Sequence, residues 1–170
     1  PFAAFEALRE WWVQSMRAQH THIADALTGK PLDVLDQCVA IEVTGSAADL
    51  SSVRDVRGLS EWLHSLHSAH GGGAATDATG ATLLTAPPAA GKTTLISQAV
   101  VLALEKAELV PIVIKVQLLQ ARLLDAPDAF TSRWNWVDAY LRLVYYAEKP
   151  EVYRMLRQAI MARRVLLLID

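Results

Sequence analysis

Apolar side chains recur every three or four positions in five segments of the chain, and this spacing predicts amphipathic helices. In the first segment the packing face consists of Phe5, Leu8, Trp12 and Met16. The five expected helices are Phe2–His20, Gly58–Ala69, Lys92–Lys106, Trp134–Val144 and Pro150–Ala162. Because Trp11 and Trp12 are adjacent, only one of the two indoles can join the packing face of the first helix.

Short segments rich in β-branched and aliphatic residues predict strands. These segments are Cys38–Val43, Ala81–Thr85, Val110–Val116 and Val165–Ile169. The last is a continuous apolar run between Arg164 and Asp170, which is typical of a strand buried on both faces of a parallel sheet. From Ala81 onward strands alternate with helices, apart from a leucine-rich turn after the Val110–Val116 strand. This alternation predicts an α/β fold with helices covering a parallel sheet.

A sharp change of composition divides the chain. Residues 71–80 read GGGAATDATG and lack the large apolar side chains that a packed core requires. We therefore expect a mostly helical segment over residues 1–70, a linker over 71–80 and the N-terminal half of an α/β domain over 81–170. The chain begins with Pro1 and ends directly after an apolar strand, so we also expect it to be part of a longer protein.

Composition and charge exclude several classes of protein. Of the 170 residues, 52% are hydrophobic and 20% are charged, which is incompatible with an intrinsically disordered chain. The net charge of −2 provides no basic surface for nucleic acid, and no apolar run approaches the ~18 residues that cross a membrane. A single cysteine, Cys38, excludes an internal disulfide framework and favours a reducing, cytoplasmic compartment.

Cysteine and histidine carry little catalytic signal in this sequence. No histidine lies near Cys38, so we interpret this residue as a small buried hydrophobic side chain. His64, His67 and His70 follow one another at helical spacing, but no cysteine or carboxylate completes a metal-ligand set. We expect these histidines to be solvated or to lie at an interface.

The segment Ala86–Thr93 carries the strongest motif, because it reads APPAAGKT and matches the phosphate-loop pattern G-x-x-x-x-G-K-[ST] except at its first position. In a chain of this composition G-K-[ST] is expected about 0.03 times by chance. The motif also follows an apolar segment and opens an apolar helix, which is the context that a phosphate loop requires.

Each residue type in this motif has a physical role. Backbone N–H groups that converge at a helix N-terminus bind phosphate oxygens, and Gly91 lets the backbone approach them closely. Lys92 reaches the β- and γ-phosphates and is the candidate catalytic residue, while the Thr93 hydroxyl is a candidate Mg²⁺ ligand. The predicted nucleotide-binding residues are Ala86, Pro87, Pro88, Ala89, Ala90, Gly91, Lys92, Thr93 and Thr94.

A second element is the segment Arg163–Asp170, an apolar strand that ends in a carboxylate. In parallel sheets ligands bind at the carboxyl ends of the strands. Asp170 is therefore predicted to complete the Mg²⁺ shell together with Thr93.

In their order and spacing these features resemble the NACHT branch of the STAND signalling ATPases, a class of P-loop NTPases. The resemblance covers about residues 81–170, and its specific parts are Leu83–Leu95 and Val165–Asp170. It implies a three-layer αβα domain whose parallel sheet is incomplete in these 170 residues, so that they are not expected to complete a nucleotide site by themselves. It also implies ATP or ADP with Mg²⁺ as ligands, and a regulatory switch with slow hydrolysis. It also implies that the Val110–Val116 strand lies at the sheet edge beside the Val165–Ile169 strand. Pro111 agrees with this position, since proline is tolerated best at an edge.

Two departures from the family pattern leave alternatives open. Ala86 and Ala89 stand where the loop usually has glycine, which costs on the order of 1 kcal/mol wherever φ is positive. A degenerate scaffold that keeps the fold but binds nucleotide weakly is therefore one alternative. Another P-loop enzyme, either a kinase or an AAA+ ATPase, is the other. The resemblance further implies self-association or other protein partners, with neither nucleic acid nor a membrane among them.

Overall fold

A computed structural model describes residues 2–25, 27–38, 41–43, 53–70, 82–106, 108–131 and 135–170. The chain forms two compact units. Unit 1 consists of Pro1–Gln19 with Ala103–Asp170, and unit 2 consists of His20–Leu102. The predicted linker at 71–80 lies outside the described residues, so the division of the chain at that position remains a prediction.

Helices predominate over strands. The helices are α1 (Phe2–His20), α2 (Val56–His70), α3 (Lys92–Lys106), α4 (Val116–Asp125), α5 (Trp136–Tyr145) and α6 (Pro150–Met161), with a 3₁₀ helix at Pro127–Phe130. The strands are β1 (His22–Ala24), β2 (Pro31–Asp33), β3 (Val110–Ile114) and β4 (Val165–Ile169). The chain therefore mixes helix and strand as predicted, with two sheets of two strands each among the described residues.

Strands β3 and β4 of unit 1 pair in parallel, as the sequence predicted for this part of the chain. The register runs from Val110 opposite Val165 to Ile114 opposite Ile169. The ladder continues past the strands, because the N–H of Asp170 donates to the Ile114 carbonyl at 3.0 Å. A larger three-layer arrangement around this pair remains a prediction.

The burial of β4 differs from the prediction. Its first four residues are only half-buried, and Ile169 is 49% exposed. Side chains of a strand project to the two faces of its sheet, and in the described part of the chain the elements packed on these faces leave β4 partly exposed. The prediction that both faces of this strand are buried was wrong.

The core of unit 1 combines α1, β3, α5 and α6. Its most deeply buried side chains include Ile114, Leu141, Val152 and Leu156. Trp12 is only 3% exposed, whereas Trp11 is 37% exposed, so Trp12 is the indole that joins the packing face. Trp11 instead lies beneath the Lys149 ammonium, which is 4.2 Å from the centroid of its ring.

Helix α6 begins and ends with recognisable local signals. Pro150 occupies the first turn with Glu151 beside it, as predicted from the sequence. At the other end, Arg163 adopts a left-handed φ of 55° and Arg164 donates its N–H to the Ala159 carbonyl at 2.9 Å. This is the Schellman arrangement, and it reverses the chain from α6 into β4.

Unit 2 contains an antiparallel hairpin that the sequence pattern did not predict. Strands β1 and β2 pair over three residues each. The loop between them depends on Asp25, whose pKa is lowered by hydrogen bonds from the Thr28 hydroxyl and the Leu27 N–H. Gly29, at a φ of +67°, supplies the left-handed residue that the turn needs.

The core of unit 2 is built from α2, α3 and the short segments that flank α2. Its members are Val43, Val53, Val56, Leu59, Leu95, Ala99 and Leu102. Buried polar groups add specific contacts to α3. The Gln98 amide donates to the Val34 carbonyl at 2.6 Å, and the Ser97 hydroxyl lies 3.1 Å from Nδ1 of His20.

Three further sequence predictions need correction. Residues 82–87 are not a strand, because no backbone hydrogen bond joins Thr82–Ala86 to another described segment. Ile41–Val43 is not a strand either, and its only described backbone bond runs from the Val43 N–H to the Arg54 carbonyl at 2.8 Å. The leucine-rich segment expected to be a turn forms helix α4 instead, because it contains neither glycine nor proline.

Within the described residues no helix combines the length and the apolar character needed to cross a membrane.

Candidate functional site

The predicted phosphate loop leads directly into the N-terminus of α3 in unit 2. A turn at Pro88 and Ala89 is closed by the Ala90 N–H, which donates to the Pro87 carbonyl at 3.3 Å. The first hydrogen bond of the helix runs from the Leu95 N–H to the Gly91 carbonyl at 2.9 Å. The amide groups that precede Leu95 therefore lie at the N-terminal end of a helix of 15 residues.

Two residues of the loop adopt left-handed backbone conformations. Gly91 has a φ of +81°, and a Cβ atom added to it would lie 3.0 Å from Cδ1 of Ile41. Ala89 has a φ of 60°, which an alanine adopts at a cost of about 1 kcal/mol. From the sequence we expected this cost at Ala86 and Ala89 only where φ is positive. The φ of Ala89 is positive, whereas that of Ala86 is not.

The Lys92 side chain folds back over its own loop. Its Nζ donates to the Ala86 carbonyl at 2.9 Å and to the Pro87 carbonyl at 2.8 Å. These two bonds hold the Lys92 ammonium group at the start of the loop, where Ala86 precedes Lys92 by six residues. The side chain is exposed, so both bonds lie where a ligand can replace them.

A cavity of about 420 Å³ adjoins the loop, and all of its lining residues belong to unit 2. One part of its wall is formed by the loop residues Ala86, Ala90, Gly91 and Lys92. The rest is formed by Thr82–Thr85 together with the side chains and backbone of Ile41, Glu42, Val43, Leu59 and Leu95. The cavity thus combines helix N-terminal donors and a cation with an apolar wall.

The residues of the apolar wall were not identified as site residues from the sequence. Ile41 and Val43 precede Gly91 by about fifty positions, and Leu59 lies on α2. The apolar character of Ile41 and Val43 predicted a strand, and that of Leu59 predicted the packing face of a helix. No local pattern in the sequence connects either segment with the loop. Only the packing of Leu59 and Val43 with Leu95 brings them to the same cavity.

The predicted magnesium ligands belong to different units. Thr93 is exposed in the first turn of α3 in unit 2, and Thr94 beside it is half-buried. Asp170 belongs to unit 1, where its backbone carbonyl accepts from the Val116 N–H at 2.7 Å directly after β4. The joint coordination of Mg²⁺ by Thr93 and Asp170 remains a prediction.

Histidine and cysteine do not form an alternative site in the described part of the chain. No group of three or more His, Cys, Asp or Glu side chains is arranged to hold a metal ion there. His64 is buried rather than solvated, because it packs within α2 and places Nδ1 2.8 Å from the Ser60 carbonyl. Cys38 is half-buried and not fully enclosed as predicted.

Comparisons with known proteins do not identify this arrangement. No family model, no curated protein and no solved structure matches the chain.

Proposed function

We propose that unit 2 carries a nucleotide-binding site for ATP and ADP, and that the chain is part of a regulatory switch of the STAND class of ATPases. In this proposal binding depends on Mg²⁺, and any hydrolysis is slow and regulatory. The observation that carries the proposal is the cavity of about 420 Å³ at the loop, with Gly91 and Lys92 in its wall. Its volume lies within the range of small-molecule sites.

The polar part of the wall suits a polyphosphate. The N-terminus of α3 offers backbone N–H groups and the positive end of a helix dipole, which together attract an anion. Lys92 adds a full positive charge at the same place. Its present partners are two neutral carbonyl oxygens, and charged phosphate oxygens would replace them with stronger, charge-assisted bonds.

The apolar part of the wall suits a nucleobase. Ile41, Leu83 and Leu84 provide exposed aliphatic surface against which a planar ring can pack. A free phosphate or pyrophosphate would leave this surface uncovered. The combination of both walls in one cavity therefore favours a nucleotide over a simple inorganic anion.

Unit 2 contributes one side chain to the proposed magnesium site. Thr93 offers a hydroxyl oxygen, which is a ligand of the kind that Mg²⁺ prefers. When bound, the ion would neutralise charge on the β- and γ-phosphates. In the proposal Thr93 lies beside the phosphates and Lys92 holds them in position.

The proposal is tested by thermal unfolding of the chain with Mg²⁺ and ATP, ADP or GTP. At a concentration of 100 times Kd a nucleotide adds about 2.7 kcal/mol to the free energy of unfolding. We expect ATP and ADP to raise Tm and the variant Lys92→Ala to abolish the increase. Lys30→Ala is the matched control, because it removes an exposed lysine from the β1–β2 hairpin of the same unit. An increase with GTP alone would argue against the STAND assignment.

A degenerate scaffold is the second candidate, and the backbone of Ala89 is the observation that favours it. Its φ of 60° stores strain in the predicted phosphate loop. A scaffold that no longer binds nucleotide would give no increase of Tm with any of the three nucleotides. Circular dichroism of the same sample would confirm that the chain is folded.

A further inference from the structure

The side chain of Ile41 lies directly against the glycine of the predicted phosphate loop. A Cβ atom added to Gly91 would lie 3.0 Å from Cδ1 of Ile41 and 3.6 Å from its Cγ1. Among the described residues, and apart from the chain neighbours of Gly91, these two atoms are the ones within 4 Å of that position. Ile41 precedes Gly91 by about fifty positions, so the contact joins the loop to a distant segment of unit 2.

Ile41 is itself held in place by the core of unit 2. It is half-buried and packs against the cluster that contains Val43 and Leu95. Two residues after Ile41, the Val43 N–H donates to the Arg54 carbonyl at 2.8 Å and fixes the backbone of this segment. Cδ1 of Ile41 is therefore presented to Gly91 from a firm support.

The conformation of Gly91 needs a restraint from outside the residue. Its φ is +81°, and glycine adopts left-handed and right-handed angles about equally well, so the residue type does not select this one. The Gly91 carbonyl accepts from the Leu95 N–H at 2.9 Å, and the Ala90 N–H donates to the Pro87 carbonyl at 3.3 Å. No backbone hydrogen bond described for the loop uses the Gly91 N–H. Packing by Ile41 restrains the side of Gly91 that these bonds leave free.

We propose that Ile41 is a positioning residue, which holds Gly91 in its left-handed conformation and thereby keeps the loop in the form that binds a polyphosphate. This role rests on the proposed nucleotide site. Rotation about the φ of Gly91 changes the direction of its N–H relative to the N–H of Lys92, and both groups lie where phosphate oxygens would bind. Without the restraint, fewer molecules have a binding-competent loop, and the apparent Kd rises by the inverse of that fraction.

Ile41 also lines the cavity in which the base of a nucleotide would pack. Substitution of Ile41 would therefore weaken ATP binding for either of two reasons, a displaced loop or a lost surface for the base. Inorganic tripolyphosphate has no base, so its affinity depends on the loop and not on that surface. Comparing ATP with tripolyphosphate separates the positioning role from simple contact with the ligand.

Isothermal titration calorimetry of the 170-residue chain with Mg²⁺ and either ATP or tripolyphosphate makes this comparison. Ile41→Val removes Cδ1, the atom nearest to the added Cβ position at Gly91, and retains a β-branched apolar side chain. We expect Kd to rise about threefold or more for both ligands. Leu35→Val is the matched control, because it removes one carbon atom from another half-buried side chain that packs against the same core but does not line the cavity. We expect it to leave both Kd values unchanged.

A second measurement needs no ligand and tests whether Ile41 is held firmly. Gly91→Ala introduces a Cβ atom 3.0 Å from Cδ1 of Ile41, in addition to the strain of an alanine at positive φ. The strain is the same in every background, whereas the steric conflict is relieved when Cδ1 is absent. We therefore expect Gly91→Ala to lower Tm less in the Ile41→Val background than in the unsubstituted chain or in the Leu35→Val background.

Each outcome has a distinct meaning. A weaker affinity for ATP alone would overturn the positioning role, because it would show that Ile41 contacts only the base. Unchanged affinity for both ligands, or an equal loss of Tm from Gly91→Ala in all three backgrounds, would overturn it as well. In these cases the proposed nucleotide site would stand. If the unsubstituted chain bound neither ATP nor tripolyphosphate, the proposed nucleotide site itself would fail, and the positioning role would fail with it.

Discussion

The indole N–H of Trp12 donates a hydrogen bond to the backbone carbonyl of Pro111 at 3.2 Å. The two residues are 99 positions apart, and the bond ties helix α1 to strand β3 within unit 1. Proline has no backbone N–H, so the backbone of Pro111 can only accept hydrogen bonds at this edge of the sheet. Trp12 also contacts the ring of Tyr145 edge-on at a centroid distance of 5.7 Å. One side chain thereby connects α1, β3 and α5.

The first prediction concerns this bond. Trp12→Phe retains an aromatic ring but leaves the buried Pro111 carbonyl without its donor, and we expect the free energy of unfolding to fall by about 1–3 kcal/mol. Urea unfolding followed by circular dichroism measures the change without relying on tryptophan fluorescence. Trp11→Phe serves as the control, because Trp11 is partly exposed and the variant retains an aromatic ring. The described contacts of Trp11 are the Lys149 ammonium, worth about 0.5–1 kcal/mol, and the Trp12 ring at a centroid distance of 6.4 Å. Equal losses in the two variants would contradict the role of the Trp12 bond.

The second prediction concerns the strained loop. Ala89→Gly relieves a left-handed φ that costs about 1 kcal/mol, and we expect stability to rise by up to about 0.5 kcal/mol after the entropy cost of glycine, about 0.5–1 kcal/mol, is subtracted. Ala90→Gly, one residue later, relieves no such strain and should lower stability by about 0.5–1 kcal/mol. Thermal unfolding of both variants under identical conditions compares the signs directly. If both substitutions lowered the stability, the strain at Ala89 would not be significant.

The third prediction concerns alkaline pH. Burial raises the pKa of Tyr145, and the nearby Tyr140 raises it further. In the unfolded chain a tyrosine ionises near pH 10, whereas the native Tyr145 keeps its proton at that pH. The unfolded state then binds fewer protons than the native state, so the free energy of unfolding falls as the pH rises above about 10.

Urea unfolding between pH 8 and pH 11 measures this decline. Tyr145→Phe removes the ionisable group but retains the ring that packs on Trp12, so the decline should be shallower in the variant. Lysine and other tyrosines ionise in the same range in both proteins, and the difference between the two curves isolates Tyr145. If the free energy of unfolding fell equally with pH in both proteins, Tyr145 would not contribute to the decline.

Local signals in the sequence were sufficient for much of the secondary structure. The repeat of apolar residues defined α1 over Phe2–His20 and α3 over Lys92–Lys106 to the residue. The proline at position 150 defined the start of α6. These elements depend on periodicity and on end signals within one segment, and a single sequence carries both. Strand β4 also has its predicted bounds, whereas the strand predicted at Val110–Val116 ends at Ile114, because helix α4 begins at Val116.

The phosphate-loop motif was also a local signal, because its residues are contiguous and lie at the start of a helix. Gly91 and Lys92 were identified from their spacing alone, and both line the cavity. The left-handed φ of Ala89 was stated only as a condition, since the residue type does not determine the backbone angle.

Tertiary structure decided the features that depend on a partner distant in the sequence. The segment that contains Leu83 has the composition of a strand, yet it forms no ladder in the described chain, because strands require hydrogen bonds to another segment. Strands β1 and β2 form although neither has a strong pattern, because each satisfies the backbone of the other. The apolar wall of the cavity also depends on contacts between segments that are distant in the sequence. Ile41, Val43 and Leu59 reach the loop only through packing against Leu95, and no periodicity within a segment encodes a contact between segments.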